Sequence, residues 1–151
     1  MTLQKIISGG QTGVDRGALD AALAAGLPCG GWCPAGRKAE DGEIPEKYPV
    51  TPLRGGGLSA AHGEERRGQR WHGDPGTRGP HRRQAKPVLV IDALGVTQDE
   101  AAEAARRFVE THRIQVLNVA GPRASGWGFG ESFARRVLGA VLQAPAVMDL
   151  R

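Results

Sequence analysis

The residues best suited to chemistry lie near the start of the chain, in Ser8-Gly9-Gly10-Gln11-Thr12-Gly13-Val14-Asp15-Arg16-Gly17. Glycines allow a tight turn, positive φ and close approach of the backbone to an anion. A helix beginning here would offer unpaired first-turn N–H groups and the positive end of its macrodipole, together a phosphate-binding turn. Gly9, Gly10, Gln11, Thr12 and Gly13 would cradle the phosphate, with a hydroxyl from Thr12 and a charge from Arg16. The spacing matches neither G-x-G-x-x-G nor G-x-x-x-x-G-K-[ST], so neither standard fingerprint applies. A helix-capping turn, with Thr12 or Asp15 at the N-cap, accounts for the same residues equally well.

Such a turn must be held between a strand and a helix, and the flanking residues supply both. Leu3, Ile6 and Ile7 form a short apolar run before the glycines. After them Val14, Ala18, Leu19, Ala22 and Leu23 fall on one helical face, and Gly26-Leu27-Pro28 stops the helix. Cys29-Gly30-Gly31-Trp32-Cys33-Pro34 reads as a second strand ended by proline, and residues 35–53 as loop. In that loop Arg37 and Lys38 are candidates to face an anion, although solvated surface charge is the commoner outcome. Pro87-Val88-Leu89-Val90-Ile91-Asp92 has the composition of a buried strand. Thr97-Gln98-Asp99-Glu100 is a capping box that opens a helix through about His112, with Ala101, Ala104, Ala105, Phe108 and Val109 as its apolar stripe. A strand over residues 114–120 ends in Gly121-Pro122-Arg123; a helix near residues 131–142 follows, with a short strand expected at 147–150. Strands alternating with helices predict an α/β, Rossmann-like parallel sheet in one domain over residues 1–151. Its binding loops, at residues 9–13 and 121–126, then share the edge formed by the strands' C-terminal ends.

The chain's 151 residues suffice for one domain with an adequate core. The absence of a long apolar run or signal pattern makes a soluble cytoplasmic protein, without membrane contact, the expectation. Cys29 and Cys33 have no second cluster near them, which argues for ordinary thiols over a zinc site or disulfide framework. The net charge of +4 is unevenly spread: residues 54–86 hold eight Lys or Arg against three acids, so that segment is +5 and the remainder −1. The segment also holds eight glycines, three of the four histidines and one large aliphatic residue, Leu58. It cannot bury enough apolar surface to offset its ordering entropy.

The run Ile7 to Asp20 closely resembles the putative molybdenum carrier family, as do Gly30-Gly31-Trp32-Cys33-Pro34 with Gly36-Arg37, and Glu40-Asp41-Gly42 with Ile44-Pro45. Leu117-Asn118-Val119-Ala120-Gly121-Pro122-Arg123 with Ser125 matches again, so the resemblance covers about residues 3–53 and 86–142. It implies a Rossmann-like domain related to the lysine-decarboxylase-like nucleotide-binding proteins, and binding of molybdenum cofactor or a similar phosphorylated ligand. Residues 54–85 depart from the family, whose pattern there contains D-S-D-G-T-hydrophobic-I-L and a second glycine loop, L-T-G-G. Codons for Gly68 to Asp74, read one base later, can spell D-S-D-G-T-V-I; Trp71 has one codon and forces the glycine. Pro80-His81-Arg82-Arg83 permits L-T-G-G in the same frame. A frameshifted segment is the reading that best explains the abrupt change in composition, and about a dozen residues before Lys86 are then missing as well.

The leading expectation is a carrier that binds molybdenum cofactor or a related phosphorylated, nucleotide-like ligand. Gly9, Gly10, Gln11, Thr12, Gly13 and Arg16 face it from the first loop, with Asn118, Gly121 and Arg123 lining the same edge. The sequence offers no catalytic set: His112 sits at a polar helix end and the carboxylates show no pairing. A nucleotide phosphoribohydrolase-like enzyme is the alternative, and would need a catalytic acid beside the second glycine loop. A basic nucleic-acid-binding module on residues 54–86 is a third, weakened because Trp71 is the segment's lone aromatic for base stacking. Assembly into a homo-oligomer stays open.

Overall fold

The computed structural model describes residues 1–54 and 86–143. Within them the order is β1 (Lys5–Ile7), α1 (Val14–Ala24), β2 (Cys29–Cys33), a 3-10 turn (Ala35–Arg37), β3 (Lys38–Ala39), β4 (Gly42–Glu43), β5 (Val50–Pro52), α2 (Gln98–Thr111), β6 (Val116–Asn118) and α3 (Gly130–Leu142). Four strands form one sheet in the order β5-β2-β1-β6, and each neighbouring pair is parallel. β3 and β4 form a separate antiparallel hairpin with Glu40 and Asp41 at its tip. The parallel α/β arrangement is the one that the alternation of strands and helices predicts.

Register sets which side chains reach the core. Ile6 lies opposite both Cys29 and Leu117, so the three share a face. That face packs on Ala18, Ala21 and Ala22 of α1, Val109 of α2 and Leu138 of α3. A second cluster joins Leu19 to Cys33, Ile44, Tyr48 and Val50, and a third joins the alanines of α2 to Val137 and Val141 of α3. α1 is buried along both flanks; Leu23, assigned to its apolar face by periodicity, is exposed, and Ala21 is buried instead.

α2 starts as its sequence dictates. The Thr97 hydroxyl accepts from Glu100 N–H at 3.2 Å, and the Glu100 carboxylate accepts from Thr97 N–H at 2.8 Å. Substituting Thr97→Ala is expected to cost about 1 kcal/mol, seen as a fall in the thermal midpoint with an unchanged native circular dichroism spectrum.

Three expectations need correction. Residues 35–53, read as loop, contain β3, β4 and β5, and β5 joins the main sheet beside β2. Residues 87–92 form no strand: Val88, Leu89 and Val90 are exposed, and only Ile91 touches a core cluster. An apolar run becomes a buried strand only with a strand beside it, and among the described residues β6 pairs with β1 alone. The N-cap of α1 is neither Thr12 nor Asp15 but Gly13, at φ 85°, with no side-chain cap bond. The expected strand at 147–150 and the frameshift reading of 54–85 fall outside the described residues, save for Arg54, which is exposed.

Candidate functional site

Because the sheet is parallel, the loops after β1 and β6 leave from the same edge, and hydrogen bonds through backbone groups and two hydroxyls join them. Val14 N–H donates to the Pro122 carbonyl at 3.3 Å, Ala124 N–H to Thr12 Oγ1 at 3.2 Å, and the Ser8 hydroxyl to the Val119 carbonyl at 2.7 Å. A Cβ on Gly13 would stand 2.5 Å from the Pro122 oxygen, and one on Gly121 would be 2.8 Å from the Val14 side chain. These two glycines serve the joining of the loops. Gly10 has φ 72°, and a Cβ there would point to Ile44 and Val50 at 3.4 Å, into the protein and away from any ligand at the edge. A bulky residue at position 10 therefore tests packing and not phosphate approach.

The β3–β4 hairpin lies across this junction and is fastened to it by Gln11, Thr12, Arg16 and Ser125. Gln11 Nε2 donates to the Lys38 carbonyl at 3.1 Å. The Thr12 hydroxyl donates to a Glu40 carboxylate oxygen, which also accepts from Ser125 N–H at 3.1 Å, while Ser125 Oγ donates to the other oxygen at 2.6 Å. Arg16 grips Asp41 through both terminal nitrogens, at 2.5 and 2.8 Å, and donates from Nε to the Gly10 carbonyl at 3.1 Å.

Electrostatics follow these contacts. The Arg16 guanidinium is raised above its ordinary value, chiefly by its hydrogen bond with Asp41, and the Asp41 carboxyl is lowered by the same bond. Glu40 is lowered by hydrogen bonds from Ser125 and then Thr12, with a smaller pull from the Arg123 charge. Asp15, at the start of α1, turns its carboxylate toward Gln11 N–H at 3.4 Å. Gln11 Oε1 is buried and unpaired among the described residues, so a ligand hydroxyl or amine would satisfy it.

The structure thus places Gly9 and Gly10 buried beneath the first loop, and Gln11, Thr12 and Gly13 at the junction. Arg16 is also present, but its guanidinium is committed to the hairpin and to Gly10, so it offers no free charge. Asn118 ends β6 opposite Ile7, exposed on the same edge, and Arg123 is half-buried close enough to Glu40 to lower its pKa. Arg37 does not face an anion and is half-buried. Its guanidinium donates to the carbonyls of Ile44, Pro45, Tyr48 and Val50 at 2.8–3.1 Å. Glu40, Asp41 and Ser125 stand in the sequence only as parts of family motifs and acquire their contacts in the fold, although the Glu-Asp-Gly string marks a tight turn that could present two carboxylates.

Comparison with known proteins adds a family. The model of the circularly permutated YpsA SLOG family matches residues 6–142. A crystal structure from Syntrophus aciditrophicus SB, of a protein named putative molybdenum carrier protein, is 30% identical. It superposes with a TM-score of 0.70, the match covering 95% of this chain and 96% of that one. No protein in the curated collection searched matches the chain.

Proposed function

The chain belongs to the circularly permutated YpsA SLOG family, and we propose that it is a carrier that binds a phosphorylated, nucleotide-like ligand at the C-terminal edge of its sheet. Molybdenum cofactor is the first candidate as cargo, since the similar protein of Syntrophus bears a molybdenum-carrier name. One observation carries the reading. Thr12 Oγ1, Ser125 Oγ and Ser125 N–H, from loops after two parallel strands, all donate to one pair of carboxylate oxygens. Donors so arranged suit a phosphoryl group, which presents acceptor oxygens at comparable separation. Convergence of two loops outside the C-terminal ends of parallel strands is also where open α/β sheets bind ligands.

Calorimetric titration with molybdenum cofactor, AMP and ADP tests the reading. Ser125→Ala removes one donor, and Thr12→Val removes a donor together with the acceptor of Ala124 N–H. Hydrogen bonds to a charged group contribute roughly 1.5–3 kcal/mol, so each variant is expected to weaken binding by about tenfold to a hundredfold. Affinities unchanged in both variants would move the ligand away from this junction. A wild-type protein that bound none of the three ligands would remove the carrier reading.

A further inference from the structure

The three donors that suit a phosphoryl group are already engaged, and by a carboxylate of the chain itself. Glu40 is exposed and stands on a two-residue hairpin turn. Its two oxygens take every hydrogen bond that the Thr12 hydroxyl, the Ser125 hydroxyl and Ser125 N–H direct at this point. A carboxylate and a phosphoryl group present similar acceptor geometry to such donors, so they cannot both be bound. Charge adds to the exclusion: an anion arriving beside a bound Glu40 would meet that carboxylate's own charge, offset in part by the nearby Arg123.

We propose that Glu40 is an internal competitor: the β3–β4 hairpin holds its carboxylate in the oxyanion cradle of Thr12 and Ser125, and a ligand phosphate enters by displacing it. This rests on the carrier reading and adds how access to that site is controlled. The hairpin need not leave altogether. Asp41 stays fastened to buried Arg16, and Gln11 to the Lys38 carbonyl, so rotation of the Glu40 side chain opens the cradle while both anchors persist. A site closed most of the time has its apparent affinity lowered by the fraction that is open. When the ligand is released, the carboxylate returns to satisfy the donors, which favours unloading in a carrier.

The test uses the full chain and inorganic phosphate as probe. Glu40→Ala is expected to tighten phosphate binding at least tenfold, and Glu40→Gln to tighten it less, because the amide oxygen still accepts but carries no charge. Adding Thr12→Val or Ser125→Ala to Glu40→Ala should abolish the gain. The exchange rate of the Ser125 amide should rise in Glu40→Ala without phosphate and fall when phosphate is added. Equal or weaker phosphate binding by Glu40→Ala would overturn the competitor. If Thr12→Val and Ser125→Ala still weaken binding of nucleotide or cofactor to the otherwise unchanged protein, the carrier reading stands without it. An Glu40→Ala protein that bound no phosphate at all would overturn it too, and the titrations with the larger ligands would then judge the carrier reading separately. Because Glu40 is exposed, an unchanged melting temperature shows that the variant is folded.

Discussion

Valine at position 17 is expected to separate α1 from α3 and lower the thermal midpoint by roughly 6–12 °C. Gly17 lies one helical turn after Gly13, so the two share a face of α1. A Cβ at position 17 would collide with the Glu131 carbonyl oxygen and stand 3.0 Å from Ala134 Cβ. The obstacle is backbone, held within the first turn of α3, so it cannot swing aside as a long side chain would. Alanine in a helix interior normally stabilises by about 1 kcal/mol over glycine. Here that gain opposes overpacking, which typically costs 1–3 kcal/mol and more when main chain must move. Gly17→Ala is therefore expected to be destabilising despite its better propensity, and Gly17→Val to lose about 3 kcal/mol or more; at this chain length each kcal/mol shifts the midpoint by roughly 2–4 °C. Gly139 supplies the internal control, since a Cβ there meets nothing within 4 Å. Gly139→Ala should be neutral or stabilising by up to about 1 kcal/mol in the same melts. If both alanines raised the midpoint, close helix contact would not be the reason for glycine at 17.

The convergence of the two loops was legible in the sequence, and the duties of their residues were not. A strand ending in glycines, followed by a helical repeat, locates the first loop, and the parallel alternation puts residues 121–126 on the same edge. What a glycine is for depends on what approaches it, and that is set by the rest of the fold. Glycine suits a phosphate and a neighbouring backbone equally; at position 13 the neighbour is the Pro122–Ala124 backbone. Charge misleads in the same way. Arg16 and Arg37 read as candidates for an anion, yet one is bound to Asp41 and the other to four carbonyl oxygens. Partners 25 residues away, as for Arg16 and Asp41, leave no local periodicity to find. The run at 87–92 fails for a related reason: its composition describes a strand with neighbours on both faces, and composition cannot report whether a neighbour is there.

Loss of the Arg37 guanidinium is expected to destabilise the protein by about 3 kcal/mol and to disturb the site from beneath. Its fork donates from Nε to the Ile44 carbonyl at 3.1 Å and from Nη1 to that of Val50 at 2.8 Å. Nη2 reaches both Pro45 and Tyr48 at 2.9 Å. One planar group thus closes the segment from Ile44 to Val50 into a loop, adding to the turn bonds that the Pro45 and Tyr48 carbonyls accept from Tyr48 N–H and Val50 N–H. The loop carries Ile44, Tyr48 and Val50 into the cluster around Leu19 and Cys33, and Ile44 and Val50 lie directly under Gly10. Hydrogen bonds to a charged donor contribute roughly 1.5–3 kcal/mol each, but several of these carbonyls are near solvent and water can replace the donor in part. The expected loss is therefore nearer one or two such bonds than four. Arg37→Lys should recover little of it, because an ammonium has three donors about a point and cannot span carbonyls held apart by the planar fork. Arg37→Ala should also weaken ligand binding, because the first loop rests on Ile44 and Val50, whereas Thr97→Ala, which removes only a cap bond to Glu100 at the start of α2, should lower stability without changing affinity. Urea melts and ligand titrations on the three variants separate these effects. A lysine variant as stable as the parent would show that the clamp is charge alone, and an alanine variant with parental affinity would show that the loop does not support the site.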